Sequence, residues 1–325
     1  MWNQKLLVIS WYYCTNIIFL CWGGWIIVYP VLIKLLFTNY FWIPLLLFAW
    51  MLIDDSQNQG GRSWRPLRNC SFTNYWYQYF STALHVTTPQ TITPDNNYIF
   101  ACHPHGILAT GVSGALISEG LGISQRLPGM RLHILVSRLV FWFPLFREMF
   151  LWGGCSSASK RNIKRIAEKS TGNVLVLIPG GAAEMFEAWP GRNTLVLENR
   201  KGFIRMALET GCHLVPVYSF GETDIFHQVF DNPTGSRLRN VQSWFASLTG
   251  FPLVIFYGCS KIFFWQPLKR PINVVVGKSI EVQKIAQPSQ EEIDDLHGRY
   301  KEALWNLFEE HKAFYGFSNS HLEFI

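Results

Sequence analysis

Two histidines stand two residues apart in the string Phe-Ala-Cys-His-Pro-His-Gly at 100–106. Imidazole can take and return a proton near neutral pH, so His103 and His105 are the first candidates for catalysis. They follow an apolar run that predicts a strand over 98–102, and strand ends are where open α/β sheets place ligands. Pro104 fixes φ and biases His103 towards extended backbone, while Gly106 permits a sharp turn or close approach of a substrate. If the stretch stays extended, both rings point to one side. If it is already helical they lie about 200° apart, and only one faces a substrate. An isolated His-x-His would as readily serve local hydrogen bonds in a turn.

A second strand-like run, 174–178, ends in Pro179-Gly-Gly-Ala-Ala-Glu184. Backbone N–H groups left bare by Gly180 and Gly181 suit an oxyanion or a phosphate. Glu184 is suited to orienting a histidine or to tying the loop through backbone hydrogen bonds. Further on, Asn199-Arg-Lys-Gly-Phe203, with Arg205 beyond it, opens a helix with cations. A helix start favours acids, so Arg200, Lys201 and Arg205 point to an anionic partner, either coenzyme A phosphates or lipid headgroups. Lys160, Arg161, Lys164 and Arg165 read as a solvated basic face. A metal centre would need more His and Asp ligands at later strand ends, and His133 and His213 lie in no such cluster, so no metal is expected.

These groups need a scaffold, and the text after Arg68 alternates as an α/β protein does. Strands are predicted at 98–102, 132–137, 174–178, 214–219, 253–257 and 272–276. Helices are predicted at 109–119, 160–169 and 202–210, the last stopped by Gly211. The strands are nearly continuous in apolar residues, which predicts a sheet covered on both faces. Ser289 and Glu292 form a capping box for a final helix carrying Ile293, Leu296, Tyr300, Leu304, Leu307 and Phe308 at helical spacing.

The chain has 325 residues, 15% of them charged and 16% aromatic. That is short of charge for a free-floating monomer and predicts contact with lipid or an apolar substrate. The net charge of +6 suits anionic headgroups or a phosphorylated substrate. No nucleic-acid reader motif is present. The seven cysteines are scattered, with no Cys-x-x-Cys pair, which argues against a disulfide framework or a structural zinc and fits a reducing compartment. No charge falls between Lys5 and Lys34, nor from Leu35 to Ile53. Roughly 20 apolar residues cross a bilayer as a helix, so a transmembrane hairpin is expected over 1–55, ahead of one catalytic domain over 56–325. The alternative is a re-entrant hairpin that never fully crosses. Lys5 on one flank and Arg62, Arg65 and Arg68 on the other put both flanks in the cytosol, with Lys34 at the loop counting against this.

Taken in order, these motifs resemble the type-2 diacylglycerol acyltransferase family, which includes monoacylglycerol and wax-alcohol acyltransferases. The resemblance runs from Trp42 to Gly316. Besides the histidine core, the glycine-rich acid and Asn199–Phe203, it rests on Gly60-Gly-Arg62, Pro144-Leu-Phe-Arg-Glu148, Val215-Pro-Val-Tyr-Ser-Phe-Gly-Glu222, Arg270-Pro-Ile-Asn-Val-Val-Val-Gly277 and His311-Lys-x-x-Tyr-Gly316. It implies an acyl-CoA-dependent O-acyltransferase in the endoplasmic reticulum membrane, with an N-terminal hairpin, a cytosol-facing site and a link to lipid droplets. It also implies a mixed, largely parallel sheet flanked by helices, as in glycerol-phosphate acyltransferases. Those enzymes use His-x4-Asp. Here His103 takes the histidine place and becomes the expected base, Leu108 stands where the aspartate would, and Glu184 is one acid able to replace it. His105 is then expected to orient the acceptor or the loop. Acyl-CoA is a substrate, and no cofactor is implied. The acceptor is a neutral-lipid hydroxyl, diacylglycerol first, with monoacylglycerol or a long-chain alcohol as alternatives. From another class, a non-catalytic lipid-binding protein of membranes or lipid droplets would have no need of a proton acceptor. The family often has Tyr-Phe-Pro ahead of the core; here Tyr79-Phe80 is followed by Ser81.

Overall fold

Strands with no polar alternation need cover on both faces, and that is how this chain folds. The computed structural model describes residues 25–70, 77–249, 252–259 and 266–325. Their strands are β1 (Ala83–Val86), β2 (Tyr98–His103), β3 (Arg131–Val136), β4 (Cys155–Ser157), β5 (Asn173–Leu177), β6 (Asn193–Leu195), β7 (His213–Phe220), β8 (His227–Gln228), β9 (Phe256–Tyr257), β10 (Asn273–Val276) and β11 (Leu322–Phe324). Seven form one sheet in the order β1-β10-β7-β2-β5-β3-β4. From β7 to β4 every pairing is parallel; β10 runs antiparallel to β7, and β1 runs parallel to β10. The expected mixed, largely parallel sheet is what forms.

Every residue of β2 is buried, and its side chains alternate between two cores. Tyr98, Phe100 and Cys102 enter one core. Ile99 and Ala101 enter the other, which the helix Gln290–Lys312 closes with Tyr300, Leu304 and Phe308. Burying a side chain such as Leu304 contributes about 2 kcal/mol, and Leu304→Ala would cost roughly 2–5 kcal/mol once the cavity is counted. This helix starts where the sequence says. Ser289 Oγ accepts from the Glu292 N–H at 3.2 Å, and Glu292 Oε2 accepts from the Ser289 N–H at 2.7 Å. The helices Lys160–Lys169 and Gly202–Thr210 also keep their expected bounds, the latter closing on Gly211 at φ 74°.

Two expectations change, and a third is met only in part of its length. The run at 253–257 gives only β9, paired with β8 outside the main sheet; Leu253 and Ile255 are exposed, so it is no core strand. The segment 109–119 gives one α-helical turn, Thr110–Val112, and then a wider π-helix, Ser113–Ile117. Gly111 and Gly114 and the β-branched Thr110 and Val112 disfavour a regular α-helix there. In the N-terminal region, Trp25–Leu36 and Trp42–Ile53 are two helices of 12 described residues each, joined by a turn. Among the described residues no helix is long and apolar enough to cross a membrane. The first part of the expected hairpin, 1–24, lies outside the described residues.

A buried ion cluster joins the second of these helices to the domain. Arg147, 1% exposed, donates to the Asp54 carboxylate at 2.6 Å, to the Asp54 carbonyl at 2.7 Å and to Glu148 at 2.6 Å. Arg62 pairs with Glu148 and Asp54, and Trp50 Nε1 donates to Glu148 at 3.1 Å. This gives the Pro144–Glu148 motif a structural task. The Ser81 departure is also resolved. Its φ is 45°, which proline, locked near −65°, cannot adopt, so the turn here is of a different type.

Candidate active site

Because β2 and β5 are parallel neighbours, with Ala101 opposite Leu177, their carboxyl ends emerge side by side. β2 delivers His103 and β5 delivers the glycine turn and the short helix Ala182–Glu187. His103 Nδ1 faces Glu184 Oε1 at 3.5 Å, with both side chains buried. Among the described residues neither atom has a hydrogen-bond partner. Gly180 makes this approach possible, since a Cβ there would lie 2.0 Å from the Glu184 carboxyl carbon. Gly181 begins the short helix at φ 54°, a value that suits glycine.

On the other side of the ring, His103 Nε2 lies 3.1 Å from the Tyr300 hydroxyl. That hydroxyl donates to the Ala101 carbonyl at 3.1 Å, which leaves its oxygen to accept from Nε2–H. His103 thus sits on the Tyr300 side of β2, opposite Cys102, as strand alternation requires.

His105 goes elsewhere. Its backbone N–H donates to Glu184 Oε2 at 2.8 Å, and its Nδ1 lies 3.0 Å from the Gly106 carbonyl. A proton on Nδ1 makes that bond and leaves the lone pair on Nε2. Desolvation lowers the pKa of His105 below its ordinary 6.5, outweighing the Gly106 carbonyl and Glu184, which raise it. The lowered pKa favours the neutral ring, whose Nε2 can then accept a proton.

His105 lines a cavity of about 890 Å³, and His103 does not. Val112, Val136, Phe143, Phe150, Met185 and Phe203 build much of its apolar wall. It takes Val176 from one core of the sheet and Leu177 from the other, so it spans the strand ends. Gly181 and Arg200 also line it, as does Lys160, which the sequence assigned to a plain solvated face. Lys201 turns away and pairs with Asp294 at 2.7 Å. Arg205, one turn into its helix, is half-buried and not among the lining residues. The three cations expected to act together are therefore split. Cys155 lines the wall too, but burial pushes its thiol up to about 12, so it carries no thiolate.

Sequence reasoning left two residues of this site without a role. Glu222, 1% exposed, accepts from the N–H groups of Thr110 and Gly111, both at 2.6 Å. It ties down the chain that leaves His105. The signal was an acid ending the apolar 215–222 run, where a carboxyl has no business unless it is hydrogen-bonded. Tyr300 looked like one more core residue of the last helix, and nothing local marks its hydroxyl. No group of three or more His, Cys, Asp or Glu side chains suited to a metal gathers among the described residues.

Comparison with known proteins adds an independent line. Residues 33–324 match the family described as diacylglycerol acyltransferase. The chain is 38% identical to the 2-acylglycerol O-acyltransferase 1 of Bos taurus over 294 residues, 88% of this chain and 86% of that protein. It is 35% identical to the acyl-CoA wax alcohol acyltransferase 1 of Homo sapiens, covering 98% and 95%. It is 38% identical to the diacylglycerol O-acyltransferase 2 of Xenopus laevis, covering 91% and 83%. Among solved structures, the 1-acyl-sn-glycerophosphate acyltransferase PlsC of Thermotoga maritima aligns over 96% of this chain and 98% of its own. The TM-score is 0.43 with 11% identity, too loose a likeness to carry a role across.

Proposed function

We propose, for a chain that belongs to the diacylglycerol acyltransferase family, an acyl transfer from acyl-CoA to a neutral-lipid hydroxyl with His105 as general base. The observation that carries this assignment is that His105, and not His103, lines the apolar cavity, with His105 Nδ1 3.0 Å from the Gly106 carbonyl so that Nε2 is the nitrogen left to accept a proton. His105 removes the hydroxyl proton as the lipid oxygen attacks the thioester carbon. The N–H of Gly181, which lines the cavity, stabilises the oxyanion, while buried Gly180, expected to share that task, makes room for Glu184 instead. As the carbon–sulfur bond breaks, the His105 imidazolium returns its proton to the leaving thiolate, releasing coenzyme A and the ester. No covalent enzyme intermediate is needed. Glu184 and His103 position the base, and Arg200 meets the coenzyme A phosphates.

The acceptor is diacylglycerol first, as the sequence reading has it; relatives named for monoacylglycerols and wax alcohols keep those two hydroxyls as alternatives. The helices Trp25–Leu36 and Trp42–Ile53 carry exposed Val31, Ile33, Leu46, Leu52 and Ile53, with exposed Phe37 in the turn between them, which supports membrane contact by this region. Placement in the endoplasmic reticulum membrane with the site facing the cytosol, and a link to lipid droplets, belong to the same reading. The test is the full chain purified in detergent and given labelled acyl-CoA with diacylglycerol, monoacylglycerol and long-chain alcohol in turn. A labelled ester with one of them is expected. Retention of acyl-CoA without any ester would overturn the reading in favour of a lipid-binding protein.

A further inference from the structure

The helix Arg237–Thr249 is built inside out. Its innermost side chain is Gln242, 5% exposed, whose amide oxygen accepts from Asn232 at 2.9 Å and whose nitrogen donates to the Leu253 carbonyl at 2.8 Å. Arg239 helps to dock the helix by pairing with Glu187 and lying 4.6 Å over the Phe186 ring. The outward stripe is apolar. Val241, Trp244 and Leu248 follow one another at i, i+3 and i+7, and Trp244 and Leu248 are 64% and 70% exposed. A helix that faces water carries these residues the other way round.

The neighbouring chain extends the pattern. Leu253 and Ile255 are exposed, and a 2.9 Å hydrogen bond from the Val229 N–H to the Ile255 carbonyl brings exposed Val229 and Phe230 alongside. Pro252, next to Leu253, lines the 890 Å³ cavity, so this apolar surface abuts the chamber that holds His105.

We infer that this surface seats in a phospholipid layer as a contact separate from the N-terminal helices, with Trp244 and Leu248 at the boundary between headgroups and acyl chains. Tryptophan favours that depth, and a helix with one apolar stripe lies in the plane of an interface. Exposed Arg237 suits the phosphates, and exposed Ser243 and Ser247 flank the stripe on its polar side. Continuity with the cavity favours lipid over a protein partner, because an acceptor dissolved in the layer then has an apolar path towards the site.

Photo-crosslinking of the full chain in phosphatidylcholine vesicles with radiolabelled acyl chains tests this. Benzoylphenylalanine replaces Trp244, Leu248 or, as the polar-flank control, Ser243. Positions 244 and 248 should take up lipid label severalfold above position 243. Equal labelling at all three, no labelling in a vesicle-bound protein, or crosslinks to protein in place of lipid would overturn the inference. This readout needs no turnover, so it is independent of the acyl-transfer reading. In a second measurement, the triple variant Val241→Ser, Trp244→Ser, Leu248→Ser should raise the KM for a vesicle-held acceptor severalfold. Its KM for acyl-CoA and its turnover of detergent-dispersed acceptor should not change. An unchanged KM for the vesicle-held acceptor would also overturn the inference.

Discussion

The backbone N–H of His105 donates to Glu184 Oε2 at 2.8 Å, while the other oxygen of the same carboxyl faces His103. The acid beside one histidine therefore sets the position of the other. This divides the histidine pair into a residue that lines the cavity and a residue that braces it.

His105→Gln should abolish turnover, because a general base contributes typically 10²–10⁴-fold. Acyl-CoA binding should stay nearly intact. In the unmodified protein, kcat/KM should rise with pH through a value below 6.5, since His105 must be neutral to act and its pKa is lowered. A His105→Gln variant with most of its activity, beside an inactive His103→Gln, would transfer the base to His103.

Glu184→Ala should lower kcat by about 10²-fold, the scale expected when a reacting group is misplaced by an ångström. The KM for acyl-CoA should move little. Steady-state kinetics with both substrates varied decides this; a rise in KM alone would mean that Glu184 serves binding.

Arg200→Gln should raise the acyl-CoA KM, whereas Lys201→Gln should not, because Arg200 lines the cavity and Lys201 is engaged with exposed Asp294. Equal effects from the two variants would return both to one phosphate site.

Glu222→Gln should flatten the dependence of stability on pH. Burial pushes Glu222 up to about 7 from an ordinary 4.5, against the two backbone N–H bonds that pull it down. The folded state thus holds this proton more tightly than the unfolded chain. The stability so gained is present below about pH 4.5 and is lost as pH rises through about 7. Thermal unfolding across that range should show the slope in the unmodified protein and a weaker slope in the variant.

Arg147→Ala should destabilise the fold by roughly 3–5 kcal/mol, because it leaves Asp54 and Glu148 without their buried partner. Denaturant unfolding in detergent measures this. A loss within 1 kcal/mol, the range of an exposed pair, would show that Arg62 alone holds both acids.

Much of this was legible in the sequence. The runs 98–102 and 174–178 are apolar throughout, so their strand character and burial could be read directly, and Ser289 with Glu292 fixed a helix start to the residue. The meeting of His103, His105 and Glu184 was expected as a set, but which histidine lines the cavity was not. That depends on where β2 stops, and the composition of Cys-His-Pro-His does not reveal it. Tyr300 and Glu222 act at sequence separations of 197 and 112 residues from their partners. Their roles come from strand order, which no local pattern encodes. Residues 253–257 misled because exposed apolar side chains mimic the pattern of a core strand.

The final strand ties the end of the sequence to the middle of the site. β11 pairs with β6, and the Ile325 carbonyl accepts from the N–H groups of Leu197 and Glu198, both at 2.9 Å, just ahead of Arg200. During synthesis Tyr300 and this strap leave the ribosome after the other residues of the site, so a growing chain cannot brace His103 or fix the Arg200 segment until they emerge. A truncation ahead of Leu322 would spare every residue that touches substrate and still loosen the wall where Arg200 stands.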